Sequence, residues 1–157
     1  MYTTEQIAQH LVEVHEGGNW TEVDLHTTLA DVTYKEAVTQ TPASLNTIAA
    51  LLHHLTFWNR VMIRRIHGIV VPDAPDNGFA MKPLTDEAAW QALQADNQQS
   101  VTELAAAIRS VPEARLPEAI VPGQSSTYKN LQGTVEHVHY HLGQIVLLKK
   151  LIRHLQP

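Results

Sequence analysis

The chain contains no cysteine among its 157 residues. That excludes a disulfide scaffold, a thiolate zinc site and a cysteine nucleophile. Any metal site must use histidine and carboxylate ligands, and any thiol chemistry needs a thiol brought in by a cosubstrate. Basic residues are also scarce, with 11 Lys and Arg against 16 Asp and Glu and a formal net charge of −5. A phosphate binder needs a basic surface, so the charge argues against nucleic acid as a main partner. No stretch approaches the roughly 20 apolar residues that cross a bilayer. The start Met1-Tyr2-Thr3-Thr4-Glu5 lacks the basic region and apolar run of a signal peptide. The expectation is a cytoplasmic protein with no membrane partner. Period-two alternation, internal repeats and low-complexity segments are likewise missing.

What remains is helical periodicity. Apolar residues make up 44% and charged residues 17%, which together with the length predicts one domain, 1–157. Thr3 or Thr4 caps a first helix carrying Ile7, Leu11 and Val14, which Gly17-Gly18-Asn19 ends. A shorter helical stretch covers Thr21 to about Ala30, and Thr33-Tyr34-Lys35-Glu36 reads as a capping box. The second long helix is expected from Ser44 to His67, with Gly68 as its stop. Residues 69–84 hold three prolines and Asn77-Gly78, so they form a loop. Thr85 caps a third helix with Trp90, Leu93, Val101, Leu104 and Ile108 on its buried side. After a connection containing Pro112, Pro117 and Pro122, a last helix runs from about Asn130 to Leu155. Four main helices with long connections predict an all-α four-helix bundle with short extra helical turns between its helices.

The chemistry lies in the histidines, of which there are ten. His137 and His141 are four residues apart, a spacing that stacks two imidazoles on one helix face, about 6 Å apart along the axis. His141 is in line with Ile145, Leu148 and Ile152, a core stripe, with Gln144 one turn ahead on the same face. His139 faces away. On the second long helix His54 shares its line with Leu51, Trp58 and Val61, whereas His53 is aligned with Arg60, Arg64 and His67. The face argument therefore selects His54, His137 and His141. A histidine on an apolar face is usually a satisfied core residue, but three on two helices without an acidic partner are different. Metal ligation would offset the desolvation of such buried imidazoles.

Two segments carry a family resemblance. Tyr128-Lys129-Asn130-Leu131-Gln132-Gly133 followed by Glu136-His137-Val138-His139-Tyr140-His141-Leu142-Gly143-Gln144-Ile145 resembles the C-terminal signature of the DinB/YfiT-like superfamily. Leu51-Leu52-His53-His54-Leu55-Thr56-Phe57-Trp58-Asn59 resembles its second-helix signature. The resemblance implies an antiparallel bundle with an unusual connection order and one divalent metal ion per chain, held by His54, His137 and His141. It further implies homodimers and, in some members, transfer of a low-molecular-weight thiol.

Three neutral imidazoles leave a divalent cation an open position, where zinc lowers the pKa of bound water, or similarly of a thiol, to about 7. Zinc leads the expectation, with nickel or iron also suited to imidazole. The chain thus reads as a metal-dependent enzyme of transferase or hydrolase type acting on a small electrophilic substrate. Gln144 is the candidate to hydrogen-bond a metal-bound ligand, against a plain inter-helix amide. Tyr140 either orients substrate or is a partly buried bundle residue. Arg60, Arg64 and Arg65 either recognise the carboxylates of a thiol or, the favoured reading, form a solvated face; Trp20 and Trp58 read as core rather than as a contact between two protomers. The alternative function is a non-catalytic, stress-related metal-binding bundle or dimerisation module. A di-iron site built on the spacing from Glu136 to His139 would need a second copy of that motif, which the chain lacks.

Overall fold

A computed structural model describes residues 2–72 and 74–155. Four long helices dominate it: α1 (Thr3–Glu16), α4 (Ile48–Ile66), α5 (Glu87–Arg109) and α6 (Thr127–Leu155). Two short ones, α2 (Leu25–Leu29) and α3 (Tyr34–Ala37), lie in the first connection. A single 3₁₀ turn, Glu113–Arg115, lies in the last. Among the described residues there is no strand, only two isolated bridges. No helix there is long and apolar enough to cross a membrane.

The main helices pack in a ring in which α5 and α6 each lie against both α1 and α4. Consecutive members α1 and α4 thus occupy a diagonal, as do α5 and α6. A diagonal cannot be closed by a tight turn, which is why both connections are long and carry helical turns of their own. Each long helix buries one stripe: Ile7, Leu11 and Val14 from α1; Ile48, Leu51, Leu52 and Leu55 from α4; Trp90, Leu104 and Ile108 from α5; Leu131, Val138 and Ile145 from α6. Burial of each such large side chain contributes on the order of 1.5–3 kcal/mol. Trp90 is fully buried, and its indole N–H donates to the Val32 carbonyl at 2.8 Å, so the first connection is pinned to α5.

Several helix ends differ from the sequence expectation, each for a local reason. The first helix is not capped by its own threonines. Thr3 and Thr4 are already inside α1, and Glu113 reaches across to accept from Thr4 N (2.9 Å) and Thr4 Oγ1 (3.0 Å). Asn19 shortens the second helical stretch. Its carboxamide accepts from Thr21 N and donates to the carbonyls of Glu13 and Val23, holding a turn until Asp24 caps α2. Trp20 consequently points outward, 95% exposed, and is not a core residue. Helix α4 starts at Ile48 rather than Ser44 because Thr47 caps it, accepting from Ala50 N, while Ser44 Oγ holds the preceding turn at Asn46. The capping box at Thr33–Glu36 forms as expected.

Between α4 and α5 runs a buried polar strip that hydrophobic patterning does not reveal. Asn59 Nδ2 donates to Ser100 Oγ (3.0 Å), Ser100 Oγ donates to the Asn97 carbonyl (2.7 Å), and Asn97 Nδ2 donates to Thr56 Oγ1 (3.0 Å). All four residues are buried. Ser100→Ala leaves the Asn59 amide without that acceptor, a loss of about 1–3 kcal/mol. The melting temperature should fall by roughly 2–4 °C per kcal/mol for a chain of this size. A melting temperature equal to that of the wild type would show that the strip does not stabilise the α4–α5 contact.

Candidate metal centre

His54 on α4 and His137 and His141 on α6 come together. Their ring centroids form a nearly equilateral triangle: 4.9 Å from His54 to His137, 4.8 Å from His54 to His141 and 4.6 Å from His137 to His141. One nitrogen from each ring lies within 4.8 Å of the others. His54 and His141 are buried and His137 is half-buried. The three histidines that share inward helical faces in the sequence thus do meet. His139 faces His10 on α1 instead, with their Nε2 atoms 3.4 Å apart.

Two of the three rings are oriented by a partner behind them. His54 Nδ1–H donates to the Asn77 carbonyl at 2.7 Å, and His141 Nδ1–H donates to Gln144 Oε1 at 2.7 Å. A carbonyl oxygen can only accept, so His54 carries its proton on Nδ1 and turns a lone pair on Nε2 toward the centre. His137 Nε2 is 2.9 Å from His54 Nε2. Two lone pairs cannot sit at that distance, so without a cation His137 donates Nε2–H to His54. A metal ion needs that nitrogen bare, and His137 must then keep its proton on Nδ1. Gln144, the candidate for meeting a metal-bound ligand, thus has its amide oxygen engaged by His141.

Asn77 contributes through its backbone carbonyl, which no pattern of ligand-type side chains marks. It belongs to a tight turn, Asp76–Phe79, closed by Phe79 N–H to the Asp76 carbonyl at 3.0 Å. Asn77 and Gly78 both have positive φ, 53° and 76°, the type I′ pattern that Asn-Gly favours. A Cβ on Gly78 would come within 2.3 Å of the Phe57 ring, so no larger residue fits without displacing it. The same Asn77 carbonyl accepts from Trp58 Nε1 at 3.2 Å, and Phe79 stacks on His54 with centroids 4.0 Å apart and planes 9° from parallel. His53 Nε2 reaches the Ala80 carbonyl at 3.1 Å. Residues 77–80 of this loop therefore cover the α4 face beside the site. The Asn-Gly pair was visible as a turn signal; its contact with a histidine 23 positions away was not.

The electrostatics are those of a neutral cluster. Burial lowers the pKa of His54 to about 4, with the His141 and His53 rings adding to the shift against the Asn77 hydrogen bond. Burial, then His141 and His54, lowers His137 to about 4. Burial also lowers His141, partly offset by Gln144. All three rings are unprotonated at neutral pH, as ligands must be. No carboxylate joins the cluster among the described residues, and Glu136 is exposed, which removes the di-iron arrangement. Beside the site opens a cavity of about 370 Å³, lined by His54, His137, Trp58, Met62, Lys129 and Asn130 among others. Tyr140 is 64% exposed, so it is not a partly buried bundle residue. Arg60 pairs with Asp96, while Arg65 is buried with its guanidinium 5.6 Å from the Trp58 ring and so leaves the solvated face.

The fold and the site define a class: an all-α bundle with three inward histidines on two helices and an adjoining cavity. The sequence model of the DinB superfamily matches residues 18–145, and the chain belongs to that superfamily. No curated protein and no solved structure is significantly similar to it.

Two outcomes check this geometry. Gly78→Ala should weaken binding of a divalent ion about 10–100-fold, the usual cost of losing a ligand's orienting partner. Helical content should be unchanged, and an unaltered affinity would detach the turn from the site. In metal-free protein, His54 and His137 should titrate near pH 4 rather than 6.5 when followed by imidazole ¹⁵N resonances. The unfolded chain takes up these protons first, so stability should fall as the pH drops from 6.5 toward 4 and level off below. Ordinary midpoints near 6.5 would mean that the rings are not desolvated.

Proposed function

We propose that the protein is a metal-dependent enzyme that uses one divalent ion, held by His54, His137 and His141, to process a small electrophilic substrate. Convergence of three neutral imidazoles beside an open cavity carries this reading. A structural zinc site usually has four protein ligands, and only three residues meet here among the described ones. The cavity gives a small molecule somewhere to sit next to them.

A bound divalent cation would act as a Lewis acid, acidifying a water or thiol that approaches it. The remaining work falls to the chain. His54 and His141 present their lone pairs in fixed directions because Asn77 and Gln144 hold the opposite nitrogens. Gln144 thus acts as a positioning residue through His141. Phe79, stacked on the His54 ring, covers one face of that side chain. Lys129, exposed and lining the cavity, supplies a positive charge to a substrate carboxylate or phosphate. With no cysteine in the chain, thiol transfer would draw on an external low-molecular-weight thiol, and hydrolysis on water. Zinc is the leading ion, with nickel or iron as alternatives. The proposal includes pairing of two copies of the chain, as the family resemblance implies.

Protein purified without immobilised nickel should contain one metal equivalent per chain, and His54→Ala and His141→Ala should each abolish that content. A panel of electrophiles offered with a small thiol separates the chemistries: thiol consumed in proportion to substrate means transfer, and turnover without thiol means hydrolysis. Full metal content with neither activity would leave the non-catalytic metal-binding bundle as the correct reading. Metal-free protein that keeps its native stability when ions are added would defeat both.

A further inference from the structure

The inner wall of the cavity beside the metal centre accepts hydrogen bonds and offers few. Of its wholly or partly buried lining residues, Trp58, Asn59, Asn130 and Thr134 commit their side-chain donors within the chain. Trp58 Nε1–H donates to the Asn77 carbonyl at 3.2 Å, and Thr134 Oγ1–H donates to the Leu131 carbonyl at 2.7 Å. Asn130 Nδ2–H donates to the Ser126 carbonyl at 2.9 Å. Asn59 Nδ2–H donates to Ser100 Oγ at 3.0 Å. Ser100 gives its own hydroxyl proton to the Asn97 carbonyl at 2.7 Å, so toward Asn59 it can only accept. That fixes which way the Asn59 amide is turned.

The Asn59 oxygen is left over. Asn59 is 3% exposed, and among the described residues no donor meets its Oδ1. The buried side-chain atoms there that lack a partner and are also sealed from solvent are His15 Nε2 and Thr41 Oγ1. Asn59 Oδ1 is not one of them, so it opens to the cavity that Asn59 lines, a space of about 370 Å³. A buried acceptor facing such a space calls for a donor from outside the chain. The surrounding charges select among donors. No carboxylate lines the cavity, and Lys129 stands exposed at its mouth. An ammonium group would be buried there without a counter-ion, beside a lysine and a bound divalent cation. A neutral donor meets no such penalty. An alcohol supplies the donor but no electrophilic carbon, whereas a carboxamide supplies both. We propose that the substrate of this site is a small uncharged carboxamide, whose N–H donates to Asn59 Oδ1. The inference rests on the enzymatic reading in taking the occupant of this cavity for the substrate; recognition by Asn59 does not itself require the metal.

The test titrates the full chain, zinc-loaded and metal-free, with benzamide, acetophenone and benzylamine. Acetophenone has the shape of benzamide without the N–H, and benzylamine carries its donors on a cation. Benzamide should bind about tenfold tighter than acetophenone, the discrimination that one hydrogen bond gives, and tighter than benzylamine. It should also shift the Asn59 side-chain carbonyl ¹³C resonance, which acetophenone leaves in place. Asn59→Leu should erase the preference. Gly133 lines the cavity, and a Cβ there meets nothing within 4 Å. Gly133→Leu should therefore fill the space and weaken both ligands, which keeps the proposal testable if Asn59→Leu does not fold. Equal affinity for benzamide and acetophenone, tighter binding of benzylamine, an unmoved Asn59 resonance or undiminished binding by Gly133→Leu would each overturn it. A chain that takes up no metal yet prefers benzamide would defeat the enzymatic reading and leave recognition by Asn59 standing. A chain that takes up zinc but binds benzamide and acetophenone alike would defeat this inference alone.

Discussion

The hydrogen bond from His54 Nδ1 to the Asn77 carbonyl is the contact on which the site's geometry turns. An imidazole has two nitrogens and, when neutral, one proton. Committing that proton to a backbone carbonyl leaves no choice about the other nitrogen. His54 Nε2 is then a lone pair, His137 must meet it with a proton when no cation is bound, and His141 is held in its own orientation by Gln144. The cluster is therefore poised around one movable proton rather than around a charge. Because the three rings are buried together with no carboxylate among them, protonation is penalised. A cation that brings its own ligand bonds is favoured over H⁺ at every pH where the rings stay neutral.

The fold serves this arrangement by its connection order. With α1 and α4 on one diagonal of the ring, and α5 and α6 on the other, α4 and α6 become neighbours despite their separation in sequence. In the connection between α4 and α5, residues 77–80 lie over α4, and the Asn-Gly turn delivers a backbone carbonyl to the one ligand that α4 contributes. Loops usually run over the surface, where water satisfies their carbonyls. Here two loop carbonyls, those of Asn77 and Ala80, are taken by adjacent histidines.

Much of this was legible in the sequence, and the reasons differ by feature. Helix existence followed from apolar spacing, because burial of a stripe is what makes a helix stable in a bundle. Helix ends were less legible where a distant group does the capping. Nothing local to Thr3 and Thr4 announces Glu113, more than a hundred positions away. Trp20 was expected in the core on its hydrophobicity, but Asn19 organises the turn around itself and turns the indole outward. The convergence of His54, His137 and His141 was readable because residues on one helical face share an environment. The ring orientations were not, since a backbone carbonyl carries no residue identity for a pattern to detect. The same blindness hid the Asn59–Ser100–Asn97–Thr56 strip: each residue alone is an unremarkable polar position on a helix.

That strip bears on how firmly the site is held. Asn59 lines the space beside the metal centre, and Ser100 is hydrogen-bonded both to it and to Asn97. Buried hydrogen bonds in series are costly to break singly, since each loss strands a partner in a low-dielectric interior. The helices α4 and α5 are thus held in one register, with less freedom to slide than an apolar interface of small residues would allow. A rigid α4 matters because His54 is the sole ligand it offers, and a shift of one ångström there would pull one corner of the triangle away from the two on α6. The polar strip and the Asn77 turn constrain the same helix from opposite sides, one fixing its position and the other the direction of its imidazole.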